Sequence, residues 1–130
     1  MMPIVTAYLA AFFGVFLTVL TMRVIVGRVK LKVSIGDGGN PEMTKRIRAH
    51  GNFTEQAPMG LIMLAMAEMV GAPHRAVVAL AIILLVGRLA HAWALSRSLG
   101  VNLMRQAGVV LTAIFMIATA VQIVTTLCAK

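Results

Sequence analysis

The stretch from Pro3 to Met22 carries no charged side chain, and this run constrains the fold more than any other feature. An α-helix rises about 1.5 Å per residue, so about 20 apolar residues cross the ~30 Å hydrocarbon core of a bilayer. No water satisfies backbone groups inside that core, which leaves helices and closed barrels as the only spanning structures. Neither Lys nor Arg precedes the run. It lacks the basic n-region and short apolar core of a secretory signal, and is read as a retained membrane helix.

Three further segments repeat the pattern. The stretch from Lys30 to Lys45 contains Gly36, Asp37, Gly38, Gly39, Asn40 and Pro41, all turn formers, and reads as an exposed loop. A second helix follows, then a break at Gly71 and Ala72, with Pro73 as the first residue of a third helix. Leu99 to Asn102 makes the last loop. The expectation is an all-α membrane protein: one domain, residues 1–130, whose four transmembrane helices occupy about residues 3–28, 44–70, 73–96 and 103–127. An apolar content of 60% fits this, since globular chains hold about half.

Charge sets orientation and excludes one class of partner. Twelve Lys and Arg against four Asp and Glu give +8. Those charges flank the apolar runs, and aromatics are only 5%, so no basic and aromatic surface for nucleic acid is present. Arg28, Lys30, Lys32, Lys45, Arg46, Arg48, Arg97 and Arg105 border the first and third loops, whereas Arg75 and Lys130 mark the other side. The positive-inside bias then places both termini outside and the basic loops in the cytoplasm of a multi-pass protein, in the inner membrane if the source is bacterial. Most of these cations, Arg23 and Arg46 among them, are most simply topology and lipid-headgroup residues. Cys128, the single cysteine, excludes an internal disulfide and a cysteine metal site, and reads as a small buried hydrophobe. No metal is called for. Met59, Met63, Met66 and Met69 read as packing residues, and Glu68 as an interfacial carboxylate.

Polar residues inside the spans are costly and mark function or helix pairing. In the second helix Arg48, Asn52 and Glu55 stand at i, i+4 and i+7, on one face. Glu55 lies about 15 Å along the helix from Lys45, deep enough to require a cationic or donor partner. Pro58 follows and is placed to kink the helix. In the third helix Arg88 and His91 share a face, and Arg88 sits about 13 Å from Arg97, so it faces the bundle or a cavity. Arg105 and Gln106 open the fourth helix, where the dipole adds to the arginine charge. Antiparallel helices bring these groups to one level. A basic pocket with one carboxylate suits a ligand with two carboxylates and an ammonium, as glutathione has. The bland alternative for Arg88, Glu55 and Asn52 is an ion-pair network that locks helices together.

The string Arg48-Ala49-His50-Gly51-Asn52-Phe53-Thr54-Glu55 with Pro58 resembles the second-helix motif of the membrane-associated proteins in eicosanoid and glutathione metabolism, the MAPEG family. Leu85-Val86-Gly87-Arg88-Leu89-Ala90-His91 is similar to the third helix of its microsomal prostaglandin E synthase branch. The resemblance implies a homotrimer of four-helix subunits. It implies glutathione as co-substrate between subunits, held by Lys30 or Arg28, Arg48, Asn52, Glu55, Arg88 and His91, with Arg105 stabilising the thiolate and a lipophilic substrate arriving from the membrane lipid. The activity implied is that of a glutathione transferase or peroxidase. Leu95 stands where eicosanoid enzymes tend to have tyrosine, and Gly51 where some members have arginine. These departures favour, as the alternative, a non-catalytic relative binding glutathione or lipid. A proton-coupled efflux transporter would require a carboxylate in the first span, and Pro3 to Met22 has none.

Overall fold

A computed structural model describes residues 2–129 as four helices: α1 (Ile4–Leu31), α2 (Pro41–Met69), α3 (His74–Arg97) and α4 (Leu103–Cys128). Three of them, α1, α3 and α4, are long and apolar enough to cross a membrane by length and composition. The second helix falls short of that apolarity because its first half carries Lys45, Arg46, Arg48 and Glu55. It nonetheless runs antiparallel along the full length of α1, since contacts tie the pair at both ends. At the loop end Arg46 Nη1 donates to the Arg23 carbonyl at 2.8 Å. At the terminal end Glu68 accepts from Val5 N at 2.9 Å and Thr6 N at 3.0 Å. A helix so paired spans the same layer as its partner.

Helix boundaries shift from the sequence expectation for local reasons. The loop gives way to α2 at Pro41, earlier than Thr44, because Asn40 caps the helix: its side chain accepts from Glu42 N at 2.9 Å and Met43 N at 3.3 Å. Proline at N1 loses no hydrogen bond there and is already set for helical φ. Pro73 precedes α3 as its N-cap, with extended ψ of 131°, and is not its first residue. The helix α2 continues through Pro58 to Met69. At the end of α1, Lys32 adopts left-handed φ 54°, while Val33 N donates to Arg28 O.

Packing is built around α2 and α3, with α3 the most enclosed of the apolar helices and α1 touching it only lightly. Phe53 of α2 receives Phe13 and Phe16 of α1 edge-on, with ring centroids 5.1 and 5.2 Å apart. Such edge-to-face pairs add about 0.5–1.5 kcal/mol to the burial itself. Gly60 admits the Leu84 side chain between α2 and α3, and Gly87 lies against Gly108 between α3 and α4. Small residues let helix backbones approach where lipid supplies no hydrophobic drive.

Three structural roles differ from the sequence expectation. Glu68 is buried and accepts three hydrogen bonds from the start of α1, including Thr6 Oγ1 at 2.9 Å. That helix has no cap of its own, so an unpaired amide end draws the carboxylate inward. Arg23 and Arg46 turn into the bundle: Arg23 Nη1 donates to Ser96 Oγ at 2.8 Å, while Arg46 crosses above Gly27. Cys128 is exposed on α4, and Met59, Met66 and Met69 point outward from α2.

Candidate functional site

The N-terminal half of α2, the C-terminal half of α3 and the first turns of α4 enclose a cavity of about 370 Å³, at the end of the bundle that carries the basic loops. That volume falls within the about 300–1,000 Å³ of small-molecule sites. Arg48, Gly51, Asn52 and Glu55 line it from α2, His91 and Leu95 from α3, and Arg105 and Val109 from α4. The helical period explains the grouping: i, i+3, i+4 and i+7 from Arg48 share one face, as do His91 with Leu95 and Arg105 with Val109.

Behind this wall lies Arg88, only 2% exposed. Its Nη1 donates to Asn52 Oδ1 at 2.9 Å, and its Nη2 to Thr112 Oγ1 at 2.5 Å and the Gly108 carbonyl at 3.3 Å. The guanidinium therefore joins α2, α3 and α4, and does not itself line the cavity. Its charge is met by oxygen dipoles, because Glu55 is exposed and makes no ion pair. The expected partner for Glu55 is thus absent among the described residues, and the carboxylate is left facing the open side of the cavity. The ion pair found among them joins Lys45 to Glu42, on the surface.

His91 is buried, and its Nδ1 has no hydrogen-bond partner among the described residues. A buried polar atom left unmatched beside a cavity calls for a partner from outside the protein, a water or a ligand. Arg105 follows the Asn102 cap, whose Oδ1 accepts from Arg105 N at 2.9 Å. Among the described residues its guanidinium has a single hydrogen bond, the long 3.2 Å one to Leu99 O. Arg48 is exposed along the open rim.

Five of the residues singled out in the sequence, Arg48, Asn52, Glu55, His91 and Arg105, thus meet on one cavity. Lys30 is exposed near the end of α1 and lies outside it, while Arg28 is held by the Gly36 carbonyl at 3.0 Å. Sequence reasoning missed Gly108 and Thr112 as the seat of Arg88. Their i, i+4 spacing, a small residue and a hydroxyl on one face of the fourth helix, was the available signal.

A four-helix membrane bundle with a cationic polar cavity at one end defines a small class of integral membrane proteins. The MAPEG family profile matches residues 6–125, nearly the whole chain, and the protein belongs to that family. Among curated relatives it is similar to the inner membrane protein YecN of Escherichia coli strain K12, 36% identical over 87 residues. That alignment takes in 67% of this chain and 66% of the relative, so the chain spans just under two thirds of the relative's length. The same protein from Escherichia coli O6:H1 matches equally.

Proposed function

We propose that this protein is a glutathione-dependent transferase or peroxidase acting on lipophilic electrophiles from within the bilayer. The observation that carries the reading is the convergence of Arg48, Asn52, Glu55, His91 and Arg105 on one cavity. Two carboxylates of glutathione would be matched by the arginines, and its ammonium by Glu55, with charge-assisted bonds of about twice the strength of neutral ones. The amide of Asn52 has its oxygen committed to Arg88, so its N–H groups are left to donate to a ligand.

Glutathione bound there supplies a thiol whose deprotonated form is the nucleophile. Arg105 holds the negative charge on that sulfur, since a neighbouring cation lowers a thiol pKa. The bond from Arg105 to Leu99 O is weak enough to yield to a charged acceptor. No metal enters this chemistry. The open side, where Arg48 and Glu55 are exposed, is the face a second copy would close in a homotrimer, with the exposed Lys30 as a cation that copy would bring. The charge bias of the loops supports a cavity on the cytoplasmic side with both termini outside. The relative's inner-membrane description supports the same location here.

Titration of the detergent-purified protein with glutathione, followed by ultraviolet difference absorbance, tests ligand and thiolate together. A saturable thiolate band supports the proposal; no binding at millimolar glutathione overturns it. Leu95, buried on the cavity wall, removes a hydroxyl from the pocket and favours a second reading, a relative that binds glutathione or a lipid without turnover. Saturable binding with no thiolate band selects that reading.

A further inference from the structure

A second concavity lies on the opposite side of α3 from the polar cavity. It is a groove of about 710 Å³ whose walls are almost wholly apolar, formed by α1 and α3 and ended by Met104 of α4. Its floor includes Phe16, Leu20, Leu89 and Ala90. Along α3 it extends from Val86 to Arg97, about 16 Å at ~1.5 Å per residue. Half of a ~30 Å hydrocarbon core is that same depth, the reach of the acyl chains of one leaflet.

The mouth is polar and cationic, at the end of the bundle with the basic loops. Arg23 lies there with one guanidinium N–H on Ser96 Oγ at 2.8 Å, and its other donors have no protein acceptor among the described residues. The Arg97 guanidinium stacks 4.4 Å above the Trp93 ring, which holds it over the rim. Neither arginine has a carboxylate partner among the described residues. A second copy of the chain would bring few acids to match them: of four, Glu42 is paired, Glu68 is sealed inside, Asp37 is held within its own loop, and the fourth, Glu55, is exposed but lines the polar cavity on the far side of α3. Charge and length together favour a lipid over a protein partner.

We infer that this groove is a site for an anionic phospholipid of the cytoplasmic leaflet, with one acyl chain along Leu20, Leu89 and Ala90 and the phosphate on Arg23, Ser96 and Arg97. The planar guanidinium fork suits a phosphate bidentately. Because α1 touches α3 only lightly, the bound chain fills the gap between them and holds α1 in place. The site is independent of the glutathione reading.

Native mass spectrometry of the full chain in detergent, with phosphatidylglycerol or phosphatidylcholine added, provides the test. Phosphatidylglycerol is retained through desolvation in preference to phosphatidylcholine. Arg23→Gln/Arg97→Gln weakens that retention by about fivefold per arginine, the weight of one basic side chain at an anionic surface. A charge-matched control, Lys32→Gln/Lys45→Gln, leaves it within twofold. Ala90→Trp fills the groove with all charges intact and abolishes retention, which guards against a misfolded arginine variant. Equal retention of the two lipids, an equal loss in the lysine control, or unaltered binding in Ala90→Trp each overturns the inference.

Discussion

Arg88 fixes Asn52. The 2.9 Å bond from Arg88 Nη1 to Asn52 Oδ1 crosses between α3 and α2, inside the bundle, and sets which face of the amide meets the cavity. The same guanidinium anchors α4 through Thr112 and Gly108. Lysine in its place has one point charge and no planar fork, so it cannot serve all three helices. Arg88→Lys therefore loses about 1.5–3 kcal/mol of stability, the range for a hydrogen bond to a charged group. Thermal unfolding in detergent gives that value. Glutathione affinity falls alongside, though Arg88 does not line the cavity. A variant as stable as the parent would show that Asn52 and Thr112 orient themselves without it.

In the proposed chemistry Arg105 acts on charge that appears only when the glutathione thiol ionises. Its removal should therefore spare binding more than chemistry. Arg105→Ala abolishes the ultraviolet thiolate band while glutathione affinity falls less than tenfold, and turnover drops by about 10²–10³, as for the loss of one preorganised donor to a developing anion. A conservative Arg105→Lys keeps the cation and restores part of the band. A band of full height in Arg105→Ala would move the thiolate to another group on the cavity wall, such as Arg48 or His91.

The four helices and the shared face of Arg48, Asn52 and Glu55 were legible because both follow from period and polarity alone. Placement of Arg88 inside the bundle was legible for the same reason, since a cation at that depth has nowhere else to go. Its partners were legible only in part. The sequence offered Glu55 and Asn52 as a network with Arg88; the structure keeps Asn52, leaves Glu55 on the open rim, and adds Thr112 and a carbonyl that no sequence pattern had named. Glu68 escaped too: its partners lie at Val5 and Thr6, more than sixty positions away, and no local pattern reports an uncapped helix end across that distance. Arg23 and Arg46 were lost among the cations of the loops, which topology alone accounts for.

Glu68 closes α1 from outside that helix, and its loss frees two amides and the Thr6 hydroxyl in a buried place. Glu68→Ala costs about 1–3 kcal/mol, the desolvation penalty of donors left unpaired. Glu68→Gln keeps an acceptor oxygen and loses less. Both variants bind glutathione within twofold of the parent, because Glu68 sits at the end of the bundle away from the cavity. Unfolding curves and glutathione titrations on the same preparations check the pair. Unchanged stability in Glu68→Ala would mean that water caps α1 equally well.

Asp37, in the loop before α2, accepts from Gly39 N at 3.0 Å and Thr44 Oγ1 at 2.8 Å. These bonds, the backbone one first, hold its carboxyl below the usual value of 3.8. A depressed carboxylate stabilises the fold above its unfolded pKa and loses that contribution as pH falls through the folded value. The loop is accordingly pinned at neutral pH and loosens only below about pH 4, the unperturbed range of an aspartate. The Gly39 amide proton resonance, followed by NMR from pH 7 to 3, moves with a midpoint under 3.8. A midpoint at or above that value would remove these bonds from the account.

Two glycines on helix contacts should respond differently to the same added methyl group. At Gly60 a Cβ would meet Leu84 Cδ2 at 2.8 Å and Cδ1 at 2.9 Å, the ends of a side chain that can change rotamer. At Gly108 it would meet His91 N at 2.8 Å and the Gly87 carbonyl at 2.9 Å. Those are backbone atoms of α3, so relief requires the helices to separate. Separation would draw Thr112 and the Gly108 carbonyl from Arg88 and move Arg105 away from His91, loosening the cavity along with the fold. Gly60→Ala costs within the about 1–3 kcal/mol of ordinary overpacking. Gly108→Ala costs more than that and also abolishes glutathione binding. Paired unfolding and titration data decide it. Equal costs at the two positions, with binding retained in both, would show that α3 and α4 do not need backbone contact to build the site.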